Sequence, residues 1–194
     1  MKTYDGVKYE TWMNGLGEMD DYNVRHLLCI FARLGIPKSY LDVGCGTGAM
    51  VAAARKLGVE AYGVDQLVDI GWPVYFHHHN LVDAFRLPEP VELVTCVEVA
   101  EHLHHSAHSV FCDTLCENLA HGGNYLIFSA ARPGQNGTGH FEGSCRPAEY
   151  WGNEFVLRGL SQNMHLTMNL ALLFSNMNSP LNYFWDNLQV WEKT

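Results

Sequence analysis

Glu98, Glu101 and His102 stand within five residues of one another, in the run Glu98-Val99-Ala100-Glu101-His102. Two carboxylates and an imidazole so close together can hold one divalent cation. If the chain turns helical at Glu98, Glu98 and Glu101 share a face at i and i+3, and His102 joins Glu98 at i+4. Carboxylates with one imidazole suit Mg²⁺, Mn²⁺, Fe²⁺ or Co²⁺ better than a structural Zn²⁺. Without a metal, His102 is the natural general base, because imidazole changes charge in the working pH range. A structural reading stands beside both, since acids after a strand also cap helices and tie loops.

A second stretch, Leu41-Asp42-Val43-Gly44-Cys45-Gly46-Thr47-Gly48, reads as strand, tight glycine turn and helix. Glycine is needed where the backbone turns sharply or approaches a ligand with no Cβ in the way. The helix N-terminus behind it leaves N–H groups that can face a cofactor. Asp65 ends the next apolar run, 21 residues after Gly44. A carboxylate there can accept hydrogen bonds from both ribose hydroxyls of an adenosine. Two cofactor classes fit: a nicotinamide dinucleotide and S-adenosylmethionine (SAM). Gly44, Gly46 and Ala49 satisfy the dinucleotide spacing GxGxxA, so spacing does not separate them. Asp42 does. A carboxylate beside a pyrophosphate is repulsive, whereas SAM carries a cationic amino group and a sulfonium.

These residues need elements to position them. Glu18 to Leu34 has helical spacing, with acids in its first turn and Gly35 and Pro37 to end it. Strands are expected at Ser39–Val43, Val59–Asp65, Val74–His79, Val91–Val97 and Asn124–Ser129. Helices are expected from Ala49 to Leu57, Ser106 to Leu119 and Pro147 to Leu160. His165 to Leu173 is open between strand and helix. Asn178-Ser179-Pro180 reads as a turn, and Tyr183 to Trp191 as a last strand. Trp12 and Met13 would dock a loose N-terminal lead-in. His77-His78-His79 reads as a strand end with alternating faces, and His104, His105 and His108 as decoration of an exposed face. The alternation predicts an α/β fold: a doubly wound, mostly parallel seven-stranded sheet with an antiparallel C-terminal edge strand.

The chain of 194 residues is long enough for one domain with a sizeable core. A formal net charge of −9 with only 12 Lys and Arg disfavours general affinity for phosphate backbones. No apolar run approaches the ~20 residues of a membrane span. The N-terminus shows no apolar leader. The six Cys form no CxxC pair, and Cys112 and Cys116 stack on one helix face. Reduced, mostly buried thiols in a cytoplasmic protein are expected.

LDVGCGTG, GVD, VELVTCVEVAEHL and GGNYLIFS, in that order, resemble the motifs of the class I SAM-dependent methyltransferases over about residues 38 to 130. The resemblance implies that Gly44, Gly46 and Gly48 line a SAM pocket, with Asp42 near the methionine part and Asp65 on the ribose. It implies Cys45, Gln66, Leu81, Val97 and Glu98 around the same cofactor. Asn80 falls at a position where such enzymes contact the adenine amine, with Asp83 three residues on. The ExxEH segment resembles two metal-assisted branches, the ubiquinone-biosynthesis O-methyltransferases and the small-RNA 3′-end 2′-O-methyltransferases. The second branch takes a further His from the loop after the next strand, where His140 lies. The implied metal set is then Glu98, Glu101, His102 and His140, holding Mg²⁺ or Mn²⁺. The implied catalytic residues are His102 and Glu101.

The expected organisation is a single methyltransferase domain over residues 1–194. A cap helix spans 18–35, and an insertion on the acceptor side spans 131–160. Tyr150 and Trp151 either stack on a planar acceptor or form the small core of that insertion. The leading reading is O-methylation of a small molecule or sugar hydroxyl. Methylation of an RNA 3′ end is the alternative, a SAM-binding accessory protein the non-catalytic one, and a dehydrogenase the most distant. The chain is expected to work as a monomer or homodimer, the short cap leaving its site open or completed by a second subunit.

Overall fold

The computed structural model describes residues 19–67, 72–135, 137–177 and 186–194 in full, and the backbone of residues 3–4 and 7–8. The elements in order are β1 (Thr3–Tyr4), β2 (Val7–Lys8), α1 (Asp20–Leu34), β3 (Ser39–Val43), α2 (Ala49–Lys56), β4 (Glu60–Asp65), β5 (Phe76–His78) and β6 (Leu93–Val97). Two 3₁₀ turns follow, Ala100–His102 and His105–Ala107. Then come α3 (His108–Glu117), β7 (Asn124–Ser129), α4 (Ala148–Leu157), β8 (Leu160–Gln162), α5 (Met164–Ser175) and β9 (Gln189–Lys193). The expected docking residues Trp12 and Met13, the start of the cap helix at Glu18 and the turn at Asn178-Ser179-Pro180 lie outside the described residues.

Seven strands form one sheet in the order β5-β4-β3-β6-β7-β9-β8. β5, β4, β3, β6 and β7 run parallel, and β9 pairs antiparallel with both β7 and β8. The doubly wound sheet is as expected, with its antiparallel edge a hairpin-like pair. β3 and β6 are buried along almost their whole length because helices cover both faces. Leu41, Val64, Phe111, Leu115, Phe128 and Phe155 make one core, under α3 and α4. Leu27, Ile30, Tyr40, Val51, Leu170 and Phe174 make the other, under α1, α2 and α5. Each such side chain contributes roughly 1.5–3 kcal/mol by leaving water.

Several boundaries move, for local reasons. The third strand begins at Phe76 rather than Val74, because the Phe76 N–H turns back to the Pro73 carbonyl at 2.8 Å and Val74 is exposed. The fourth begins at Leu93, and Val91 makes only an isolated bridge with Leu119. The helix expected through Leu160 stops at Leu157; Gly159, at φ 79°, turns the chain into β8. The last strand runs Gln189–Lys193, and the expected start at Tyr183 lies outside the described residues. The ambiguous segment is helix α5: the Asn163 side chain accepts the Leu166 N–H at 3.0 Å, and Thr167, Leu170 and Phe174 face inward.

His104 and His105 are exposed, but His108 is not decoration: it is fully buried, its ring 4.7 Å from that of Trp151. Trp151 itself packs on Phe128 and belongs to the core. His77 and His79 both face Phe85 while His78 points away, so the His run alternates as expected. All six cysteines are free thiols, and Cys45, Cys96, Cys112 and Cys116 are buried.

α1 carries one unusual core residue. His26 is buried edge-on against Phe174 at 4.6 Å. Burial lowers its pKa to about 4, against a weaker opposing bond to the Tyr22 backbone. The imidazole is therefore folded neutral, and its stability contribution is complete above pH 6.5 and lost as pH falls toward 4. The loss is on the order of 2 kcal/mol. Thermal melts of wild type and His26→Phe from pH 7 to 4.5 are expected to diverge, the wild type losing more. Parallel curves would remove His26 as the cause.

Candidate active site

A cavity of about 680 Å³ opens at the carboxyl ends of β3, β4, β6 and β7. This is where ligands bind in open α/β sheets. Of the cofactor residues read from the sequence, Asp42, Gly44, Cys45, Gly46, Asp65, Gln66, Asn80, Leu81, Val97 and Glu98 are on its wall. Gly48 is not. A Cβ there would meet the Phe76 ring at 2.4 Å, so this glycine lets β5 pack against the turn. Asp83 is exposed and off the wall.

The glycine turn is built by backbone geometry. Gly44 sits at φ 79°, and a Cβ on it would meet the Val99 side chain at 2.3 Å. The N–H groups of Gly44 and Cys45 both donate to the Val64 carbonyl, at 2.8 and 3.2 Å. Gly46 donates to Asp65 Oδ2 at 2.9 Å, and Leu67 to Oδ1 at 2.8 Å. Asp65 is thus fixed by the turn it faces. A carboxylate has about four acceptor sites, so these backbone bonds leave it capacity to accept from a diol.

Asp42 lies at the other wall, 5% exposed. Thr95 donates to its Oδ1 at 2.6 Å, and the Tyr40 hydroxyl stands 2.7 Å from the Thr95 oxygen. A threonine hydroxyl has one proton, so Tyr40 donates to Thr95 and Thr95 to Asp42. Burial, reinforced by Asp65, nevertheless raises Asp42 to about 7. An acid poised there gains from a cationic ligand.

At the far end the helical spacing expected from Glu98 fails. Glu98 has φ 53°, the left-handed region, while its N–H donates to the Ser129 carbonyl at 3.0 Å. The 3₁₀ turn starts only at Ala100. The set brought together is therefore Glu101, His102 and His140, with one ligand atom from each within 4.8 Å of the others. Glu98 stands outside that trio but beside it. Burial raises both glutamates, and Glu98 raises Glu101 further, so the two do not ionise independently. Neither Glu101 oxygen has a well-formed hydrogen bond among the described residues. A buried acid in that state fits a cation.

Several wall residues escaped the sequence reading. Asp20 and Asn23 reach the cavity from α1, and Asp20 accepts the Thr47 hydroxyl at 2.5 Å. Gln135, Gly137 and Thr138 reach it from the loop after β7. The acids in the first turn of α1 were the only signal for the first pair. No Lys or Arg lines the cavity among the described residues.

This fold is that of a methyltransferase. A family model described as a methyltransferase domain matches residues 17–167, and the chain belongs to the class I SAM-dependent methyltransferases. The ubiquinone biosynthesis O-methyltransferase of Methylococcus capsulatus is 32% identical over 101 residues, 46% of this chain and 41% of that protein. The chain thus matches about two fifths of the length of this curated relative. Among solved structures, the sugar N-methyltransferase KedS8 from Streptoalloteichus sp ATCC 53650 has a TM-score of 0.63 at 17% identity, covering 100% of this chain and 95% of that one. SAM-bound CalS10, an amino pentose methyltransferase from Micromonospora echinaspora, has a TM-score of 0.60 at 16% identity, covering 94% and 92%. No helix among the described residues is long and apolar enough to cross a membrane.

Proposed function

We propose that this chain transfers the methyl group of SAM to a hydroxyl of a small molecule, with a divalent cation at Glu101, His102 and His140. The observation that carries the reading is that this trio closes the same cavity that Asp42 and Asp65 open. SAM, when bound, supplies an electrophilic methyl on a cationic sulfur. A divalent cation on the trio supplies Lewis acidity that lowers the pKa of an acceptor hydroxyl.

The chain's own residues do the rest. Asp42 meets the cationic methionine end, and Asp65 takes the ribose diol. Asn80 and Leu81 border the adenine, though the Asn80 carbonyl already accepts the Val82 N–H at 3.3 Å. The acceptor has to sit opposite the methyl at near-attack distance, which is positioning work for the walls formed by His102, Ala131 and Thr138. A described wall without Lys or Arg offers nothing to pair with phosphates and disfavours an RNA end, while the O-methyltransferase relatives support oxygen as the methylated atom.

Labelled SAM with a panel of small hydroxyl and amine acceptors tests this. Methyl transfer to hydroxyls is expected, abolished by EDTA and restored by Mn²⁺. Full activity in EDTA would remove the cation. Transfer to amines alone would move the chain to the chemistry named for KedS8.

A further inference from the structure

His140 has a support that the motifs do not contain. Its Nδ1 lies 3.2 Å from the backbone carbonyl of Gln135. A carbonyl only accepts, so Nδ1 carries the proton and Nε2 keeps its lone pair. The Cys145 thiol donates to the same carbonyl at 3.7 Å, its sulfur 3.4 Å from Nδ1. Room for Nε2 is made by Gly137, where a Cβ would stand 2.5 Å from that nitrogen.

Gln135 is in turn clamped. Its side-chain carbonyl accepts the Arg132 N–H at 2.6 Å and the Asn187 amide at 2.9 Å. Asn187 is 2% exposed, comes from the segment just before β9, and is not on the cavity wall. It also reaches Glu98 Oε1 at 3.4 Å. A buried amide 47 residues beyond His140 in the chain thus holds the residue whose carbonyl orients the imidazole.

We propose that Asn187 is a positioning residue for the cation site: it clamps Gln135, and the Gln135 carbonyl then presents His140 Nε2 to the space shared with Glu101 and His102. The inference rests on the cation reading above. Partners that orient a ligating histidine typically matter 10–100-fold in metal affinity.

The test is Mn²⁺ titration by calorimetry on the full chain, with melting temperature and SAM affinity measured alongside. Asn187→Ala is expected to weaken Mn²⁺ about tenfold while SAM affinity stays as in wild type. Asn187→Asp keeps the size but turns an acceptor toward the Gln135 carbonyl, and the same loss is expected should the alanine variant fold poorly. In a His140→Ala background, Asn187→Ala is expected to change nothing further, which a merely structural role would not produce. Wild-type Mn²⁺ affinity in both Asn187 variants would overturn the proposal. So would an undiminished loss in the His140→Ala background, which would place the effect on Glu98. A wild-type chain that takes no Mn²⁺ would instead overturn the cation reading itself, and this inference with it.

Discussion

Asp42→Asn is expected to melt higher than wild type without cofactor, and to bind SAM about 10–100-fold more weakly with a flatter dependence on pH than wild type. Asp42 is enclosed, and burial together with Asp65 raises it to about 7, from 3.8 in an open chain. The sign follows from linkage. An acid raised by folding leaves stability highest when it is protonated, and that stability falls as pH rises from about 4 to 7. At neutral pH the ionised form costs on the order of 3 kcal/mol. Asn accepts the Thr95 hydroxyl through its own carbonyl and never ionises, so a melting temperature higher by about 5 °C is expected. Binding runs the other way. A cation beside Asp42 favours the carboxylate, so SAM binding releases a proton, and wild-type affinity rises with pH until it levels off above about 7. Calorimetry at pH 6 and 8, in buffers of different ionisation enthalpy, reads both effects. A wild-type affinity flat with pH, or tight binding by the variant, would sink the assignment of Asp42 to the cationic end.

The sheet was legible because parallel strands covered on both faces write themselves as apolar runs, as in Leu93–Val97, and because glycine punctuates them. What was not legible depended on contacts distant in sequence. α5 hid its period because Met164, Met168 and Leu172 are exposed apolar residues on its outer face. β8 has only three residues, too short for any pattern, and it forms because β9 offers Glu192 and Trp191 as partners. His108 looks like its exposed neighbours His104 and His105 and differs only by facing Trp151.

The site divides in the same way. The half read as cofactor-binding is a local device, one strand and one turn, so residue types and spacing named residues that share one cavity wall. The half proposed for the acceptor is assembled. A glutamate at φ 53° is disfavoured by roughly 1–2 kcal/mol locally, and no local rule predicts it. That one conformation removes Glu98 from the helical face assumed for it and leaves Glu101 and His102 to meet His140. Asn187 carried no motif at all. Its place comes from the pairing of β9 with β7, which brings the chain's last segment against the loop after β7.

Glu101→Gln is expected to lower kcat by about 100-fold or more, with SAM affinity unchanged and the fold more stable. Glu101 is fully buried on the 3₁₀ turn, and its carboxyl is held well above the usual range first by burial and then by the Glu98 charge. A carboxamide has nearly the same shape, does not ionise, and ends the like-charge repulsion, so the melting temperature rises. The backbone is untouched, and the Glu101 carbonyl still accepts the Phe141 N–H at 3.0 Å, keeping the His140 loop in place. The loss of turnover would therefore come from the charge alone, because a neutral amide is a poorer ligand for a hard cation than a carboxylate. Raising Mn²⁺ should recover part of the activity, since a weakened site is refilled by mass action. Asp42→Asn would not respond to Mn²⁺, its defect lying with SAM. If Glu101→Gln kept wild-type turnover, His102 would be acting as a base without a cation, and Glu101 would be a buried acid serving the turn.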